Sequence, residues 1–205
     1  MEITLFHTSE LATDTYVAIN GDRAFVVDPG GSADEIMRFV ESHGAKVEAV
    51  LLTHGHYDHI FGVAPLQEQG ALVIMHKDDV HLVRSFKNLA FWFNKKVPPF
   101  TPDITLSGGE TLNVAGLDVK VLHTPGHTAG GVCYVVGDCI FSGDTLFELS
   151  YGRTDFYTGS FAQLKNSIVN KLFRLEGDYK VYPGHNNATT LDFERKNNPI
   201  LRDTE

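Results

Sequence analysis

A layered α/β (α+β) fold is what the sequence predicts, and three observations carry that expectation. Between residues 47 and 89, β-rich apolar runs alternate with runs at helical spacing, which favours parallel strands with helices against them. From 104 to 147 the pattern changes to short β-rich runs separated by tight-turn residues, as antiparallel strands require. Several runs end in loops rich in His, Asp and Gly, so one rim of the layers collects polar chemistry.

Taken in order, residues 15–19 and 23–27 are strands joined by Asn20-Gly21-Asp22, a hairpin signal because Asn and Gly tolerate positive φ. Asp28-Pro29-Gly30-Gly31 follows as a turn that puts a carboxylate on the ligand rim. Ser32-Ala33-Asp34-Glu35 reads as a capping box opening a helix that carries Ile36, Phe39 and Val40, and His43-Gly44 ends it. A buried strand at 47–52 delivers the loop Thr53-His54-Gly55-His56-Tyr57-Asp58-His59, and the chain turns into a helix near Ile60. A helix at 63–69, a strand at 72–75 and a helix at 78–89 complete the alternation.

Residues 91–102 break the pattern with Phe91-Trp92-Phe93, two lysines and three prolines. The segment reads either as a locally packed surface loop or as a wall beside the rim. Antiparallel strands are expected at 110–114, 117–122, 132–136 and 139–142. An amphipathic helix at 160–173 shows Phe161, Leu164, Ile168 and Leu172 on one side. A strand at 179–182 and a helix at 189–197 close the chain.

With 205 residues, 42% apolar and 21% charged, the composition suits one globular domain spanning 1–205. No tract approaches the length of about 18 apolar residues that a membrane span needs. The N-terminal residues Met1–Leu5 lack the basic and apolar regions of a signal peptide, so a cytoplasmic location is expected, without membrane association. The net charge is −9, or −5 with two bound divalent ions, and no basic run offers itself to a phosphate backbone; nucleic acid is therefore not an expected partner. Cys133 and Cys139 form no disulfide framework and stand apart from any ligand pattern.

Three of ten histidines fall in the 53–59 loop, together with a carboxylate. Solvated histidines are the ordinary content of a surface loop, but this density of imidazoles points to metal ligation. His54 and His56 are two apart, so extended backbone aims both the same way, while Asp58 and His59 face a second point nearby. Three further loops repeat the theme: Thr124-Pro125-Gly126-His127-Thr128, Ser142-Gly143-Asp144-Thr145-Leu146 and Tyr182-Pro183-Gly184-His185. Each sets a glycine beside a candidate ligand, letting backbone turn closely around an ion. Tyr57, Trp92, Phe147 and Tyr151 are candidate pocket walls. His7, His43, His76, His81 and His123 stay outside the candidate set.

With this set of motifs the chain resembles the metallo-β-lactamase superfamily, and within it the short hydroxyacylglutathione hydrolase (glyoxalase II)-like group. The resemblance runs from the Asp28-Pro29-Gly30 turn to Asn198-Pro199. It implies a four-layer αββα sandwich with metals at the edge between two sheets. His54, His56 and His127 would bind one ion, Asp58, His59 and His185 the other, and Asp144 would bridge them. Gly152-Arg153-Thr154-Asp155-Phe156 also resembles a stretch of this group, with Arg153 and Asp155 read as a structural pair. Two features depart from the group. No C-terminal glutathione-binding helical domain follows His185, and Asn186-Asn187 stand where the short hydrolases have Gly-Pro.

The implied activity is metal-dependent hydrolysis of a small-molecule thioester or ester, with two divalent ions, zinc first and iron or manganese as alternatives. The nucleophile would be a metal-bound hydroxide, which Asp58 would orient as the catalytic residue. A persulfide dioxygenase using a single iron, or a lactonase-type hydrolase, is the alternative. A β-lactamase is disfavoured by Asp144 where secreted zinc examples commonly carry Cys. A closed structural site is disfavoured because seven N/O ligands at a rim leave open positions.

Overall fold

The computed structural model describes residues 1–8 and 11–203. Its first sheet holds β1 (Glu2–His7), β2 (Asp14–Asn20), β3 (Arg23–Val27), β4 (Lys46–Leu51), β5 (Leu72–His76) and β6 (Ile104–Leu106) in chain order. β1, β2 and β3 pair antiparallel, and β3 to β6 pair parallel. Parallel neighbours need crossovers. Helix α1 (Ala33–Ser42) joins β3 to β4, and α2 (Tyr57–Ile60) with α3 (Val63–Glu68) joins β4 to β5.

The second sheet is formed by β7 (Thr111–Val114), β8 (Leu117–His123), β9 (Val132–Val136) and β10 (Cys139–Gly143). After β10 come a small hairpin of β11 (Leu146–Phe147) and β12 (Ser150–Tyr151), then helix α4 (Phe161–Asn170). β13 (Lys180–Pro183) and β14 (Thr189–Thr190) complete the sheet, in the order β14-β13-β10-β9-β8-β7, before α5 (Leu191–Asn197).

Side-chain alternation explains why the parallel strands read as unbroken apolar runs. Phe25, Leu51 and Ile74 point inward and meet Val121, Tyr134 and Phe141 of the second sheet. Their neighbours Val26, Val50 and Val73 point outward under Ile36, Val40 and Leu66 of the helices. On the far side, Leu164 and Ile168 of α4 cover Cys133, Val135 and Ile140. Helix, sheet, sheet and helix thus make the four layers expected, with the metallo-β-lactamase arrangement of two mixed sheets. Phe141 packs edge-on to Phe25 at 5.9 Å, so truncating it to alanine should cost about 3–5 kcal/mol.

Several elements differ from expectation, each for a local reason. Asn20 pairs with Arg23, so the hairpin loop is Gly21-Asp22 and only Gly21 has positive φ, the pattern of a type II′ turn. Ser32 caps α1 by accepting from the amide of Asp34 rather than of Glu35. The helix expected at 78–89 is instead broken into 3₁₀ turns at Lys77–Leu82, Phe86–Asn88 and Ala90–Phe93. Asp79 is drawn inward by three donors and Leu89 takes a left-handed φ of 73°, so no helical ladder can propagate. β6 joins the first sheet parallel to β5 instead of opening the antiparallel series. Thr189 and Thr190 are a short strand before α5. Cys133 and Cys139 are free and buried. No helix among the described residues is long and apolar enough to cross a membrane.

Candidate metal centre

All four ligand loops leave the strand ends at one edge of the sandwich. At the end of β4, Thr53 gives its amide to Asp28 Oδ1 at 2.8 Å and its hydroxyl to Oδ2 at 2.5 Å. These bonds fix the start of the histidine loop. α2 begins at Tyr57 rather than near Ile60, so Asp58 and His59 occupy its first turn. The loop after β8 brings His127, with Gly126 at φ 139° pressed against Leu164 of α4. The turns after β10 and β13 bring Asp144 and His185. Between them Gly184 leaves no room for a side chain: a Cβ would stand 2.4 Å from Asp144 Oδ1 and 2.7 Å from His59 Cε1.

Seven predicted residues converge into two groups. The rings of His54, His56 and His127 stand pairwise 4.7–4.8 Å apart, nearly perpendicular to one another. His56 Nδ1 lies 2.9 Å from His127 Nε2. In the second group, Asp58 Oδ2 lies 3.6 Å from His59 Nε2 and 3.4 Å from His185 Nε2. Asp144 touches both groups. Its Oδ2 is 3.5 Å from His127 Nε2, and its Oδ1 is 3.4 Å from His59 Nε2. These N···O separations are long for hydrogen bonds. They match instead two atoms bound to one tetrahedral ion at about 2.1 Å each, which stand about 3.4 Å apart.

Tautomers agree with that geometry. Thr53 has given its one hydroxyl proton to Asp28, so His54 Nδ1, 3.1 Å away, must donate to it and leave Nε2 bare. His127 Nδ1 faces the Arg153 carbonyl at 2.7 Å, and His59 Nδ1 faces Asp28 at 2.9 Å, so each donates there. Holding the outer ring nitrogen with a carbonyl or carboxylate is how proteins orient metal-bound imidazoles. Among the described residues whose buried polar atoms have no hydrogen-bond partner are His54 and His59 at Nε2 and Asp144 at Oδ1, while His56 turns its Nδ1 toward His127 Nε2. Orphaned buried polar atoms are costly, and here they converge on two points. The residues present fit divalent ions.

Burial pushes His54 and His56 well below the usual imidazole range, helped by the neighbouring rings. For His59 burial works downward too, but the carboxylates of Asp58, Asp144 and Asp28 prevail and raise it to about 10. Burial opposes ionisation of Asp58, yet the nearby rings of His59 and His185 hold it well below the carboxylate range. Thr13 adds a hydroxyl to Asp58 Oδ2 at 2.9 Å.

Asp79 is a residue that sequence reasoning passed over. Its buried carboxylate accepts from Gly55 N at 2.9 Å, Thr128 Oγ1 at 2.7 Å and Gly130 N at 2.7 Å. It therefore ties the loop of His54 and His56 to the loop of His127. Within the charged run Lys77-Asp78-Asp79 it reads as a solvated helix start. Asp28 is placed at the rim as expected. Arg153 and Asp155 form their pair, bidentate at 3.0 and 2.6 Å, but both side chains are more than 60% exposed; Arg153 serves the site through its carbonyl. Away from the centre, His76 and His123 stack at 4.2 Å and group with Asp78.

The centre opens into a cavity of about 470 Å³, with Tyr57, Phe147, Tyr151, Phe93 and Phe156 among its walls and Asn186 at its mouth. Trp92 lines an adjoining groove rather than this cavity. The aromatic segment divides its roles: Phe93 walls the site, while Phe100 is buried under the first sheet.

Residues 8–185 match the model of the metallo-beta-lactamase superfamily. The chain is 34% identical to the hydroxyacylglutathione hydrolase GloC of Haemophilus influenzae over 87% of each chain. In structure it is similar to the B3 metallo-beta-lactamase BLEG-1, with a TM-score of 0.90, 31% identity, and 98% of this chain and all of that one covered. TTHA1623 in a di-iron-bound form gives 0.87 at 33% identity, covering 97% and 100%. ETHE1 of Myxococcus xanthus gives 0.83 at 29% identity, covering 97% and 84%. The chain belongs to the metallo-beta-lactamase superfamily, and it carries the histidine–aspartate clusters that a metal-dependent hydrolase of that superfamily needs.

Proposed function

We propose that the chain hydrolyses a small-molecule thioester or ester with two divalent ions, zinc in the first place. His54, His56 and His127 would hold one ion and Asp58, His59 and His185 the other, with Asp144 shared. The observation that carries this reading is the position of Asp144, whose Oδ2 stands between His127 of one group and His185 of the other while its Oδ1 faces His59. When bound, such ions polarise a carbonyl and bring the pKa of water to about 7. The likeness to the hydrolase GloC supports a thioester substrate.

The chain's own residues do the rest. Asp58, kept ionised by the rings of His59 and His185 and aligned by Thr13, would accept a hydrogen bond from water at the centre and orient its oxygen toward the carbonyl. Phe93, Phe147 and Phe156 crowd water away from the bound acyl carbon, and Tyr57 closes the same wall. A thiolate departs without a strong general acid, which makes thioesters easier substrates than amides for such a centre.

A second reading has one observation in its favour. His56, His127 and Asp144 alone make a two-histidine, one-carboxylate set, the type that holds a single iron for oxygen chemistry, and the chain is similar to ETHE1. Metal analysis of protein purified without added metal, with parallel assays, separates the two. Two ions per chain with hydrolysis of S-D-lactoylglutathione support the hydrolase. One iron per chain, with oxygen uptake on glutathione persulfide and no hydrolysis, would overturn it.

A further inference from the structure

An aromatic groove runs from the metal-site cavity along the surface. It holds about 450 Å³ and is walled by Phe86, Trp92, Phe93, Phe156 and Tyr157. Leu89, Phe93, Arg153 and Phe156 line both spaces, so the groove and the site form one channel. Phe86 is 70% exposed and Trp92 76% exposed. Isolated apolar side chains in water need no explanation, but a contiguous concave set beside a reactive centre marks a place where something apolar binds.

Charge narrows the occupant. Lys87 lies over the ring of Tyr157 at 3.5 Å, and Arg153 lies over Phe156 at 4.4 Å while gripping Asp155 with two hydrogen bonds. Arg153 is both covered by a ring and neutralised, and Lys87 rests against Tyr157, so the groove presents mainly aromatic faces and aliphatic stems. A phosphate-bearing carrier would find no unpaired arginine along it.

We propose that this groove binds an apolar arm of the substrate, a long aliphatic or aryl chain attached to the carbonyl that reaches the metal centre. The proposal rests on the thioester or ester reading and adds a substrate class to it. The arm belongs either to the acyl group or to the leaving thiol, and the two share the chemistry the groove recognises.

Trp92 is the chain's one tryptophan and reports on the groove directly. Its emission, followed in the metal-loaded protein, should shift saturably with decanoate and bind it at least tenfold more tightly than acetate. Phe86→Ser, remote from the ligand groups, should weaken decanoate by about fivefold, as partial loss of one buried ring would. Equal responses to decanoate and acetate would overturn the proposal. So would an emission that changes with protein concentration and ignores decanoate, since a second copy of the chain would then be the occupant. Kinetics distinguish the two arms. A rise in kcat/KM from acetyl to decanoyl thioesters of one thiol places the arm on the acyl side. A rise from ethyl to decyl thioacetates places it on the leaving side, and a flat profile in both series contradicts the groove's role. The fluorescence titration needs no turnover, so a chain that binds decanoate but cleaves neither decanoyl thioesters nor decanoyl esters would sink the hydrolase reading and leave the groove standing.

Discussion

Asp28 and His59 stand 2.9 Å apart, Oδ2 to Nδ1, and the same carboxylate receives the amide and hydroxyl of Thr53. One buried side chain thus aims a ligand of the second group and anchors the strand end that carries the first. Asp28→Asn would keep one acceptor for the Thr53 amide but place an NH₂ against two donors. Metal affinity should fall about 10–100-fold, with secondary structure by circular dichroism unchanged. Isothermal titration with zinc into metal-free protein checks this; unchanged affinity would show that Asp28 does not orient His59.

Removing Asp144 takes away the carboxylate that touches both groups. Asp144→Ala should bind about one zinc per chain or fewer after dialysis. Its thioester hydrolysis should fall at least about 100-fold, in line with losing a group that positions transition-state charge. Metal content and rate are measured on the same sample. Full activity with two ions retained would remove Asp144 from the mechanism.

Asp79→Ala would strand three donors, two amides and a hydroxyl, at the joint between the histidine loops. A buried unsatisfied group costs about 1–3 kcal/mol, with partial relief if water enters. A loss of about 3 kcal/mol overall should lower the melting temperature by about 6–12 °C for a chain of this size. Differential scanning calorimetry checks the value. A smaller drop for Asp79→Asn is expected, because one acceptor remains.

The metal-free chain should be most stable in a window bounded by two sets of histidines. Burial holds His54, His56 and His123 below their ordinary range, so their neutral forms stabilise the fold above about pH 6.5. That contribution is lost as pH falls through their depressed values. His59 acts in the opposite sense: raised to about 10, it stabilises fully below about 6.5 and ceases to do so as pH rises through 10. Denaturant midpoints in the presence of chelator should therefore fall on going from pH 7 to 5, and again from pH 9 to 11. A midpoint flat from 7 to 5 would contradict the buried neutral histidines.

The alternation of strands and helices was legible because it follows local rules, with β-rich apolar runs, capped amphipathic helices and glycine turns, whereas the four-layer sandwich was what the family resemblance implied. The grouping of the candidate ligands was legible because imidazoles and carboxylates cluster in the sequence at strand ends, where rigid backbone can aim them. What stayed hidden depends on contacts between distant segments. Nothing near Asp79 indicates that its partners lie at Gly55, Thr128 and Gly130, and those partners are also what break the expected helix. β6 has only three residues, and its parallel pairing with β5 is set by where the aromatic segment returns to the sheet. The edge strand β1 likewise shows its role only against β2, because its side chains are largely exposed or half-buried.

The measurement that tests the two-ion hydrolase most directly is a titration of zinc into metal-free protein while thiol release from S-D-lactoylglutathione is followed. Two ions acting together mean that hydrolysis rises with added zinc and reaches its plateau at about two equivalents per chain. A plateau at one equivalent, or no thiol released at any zinc level while both ions bind, would contradict it.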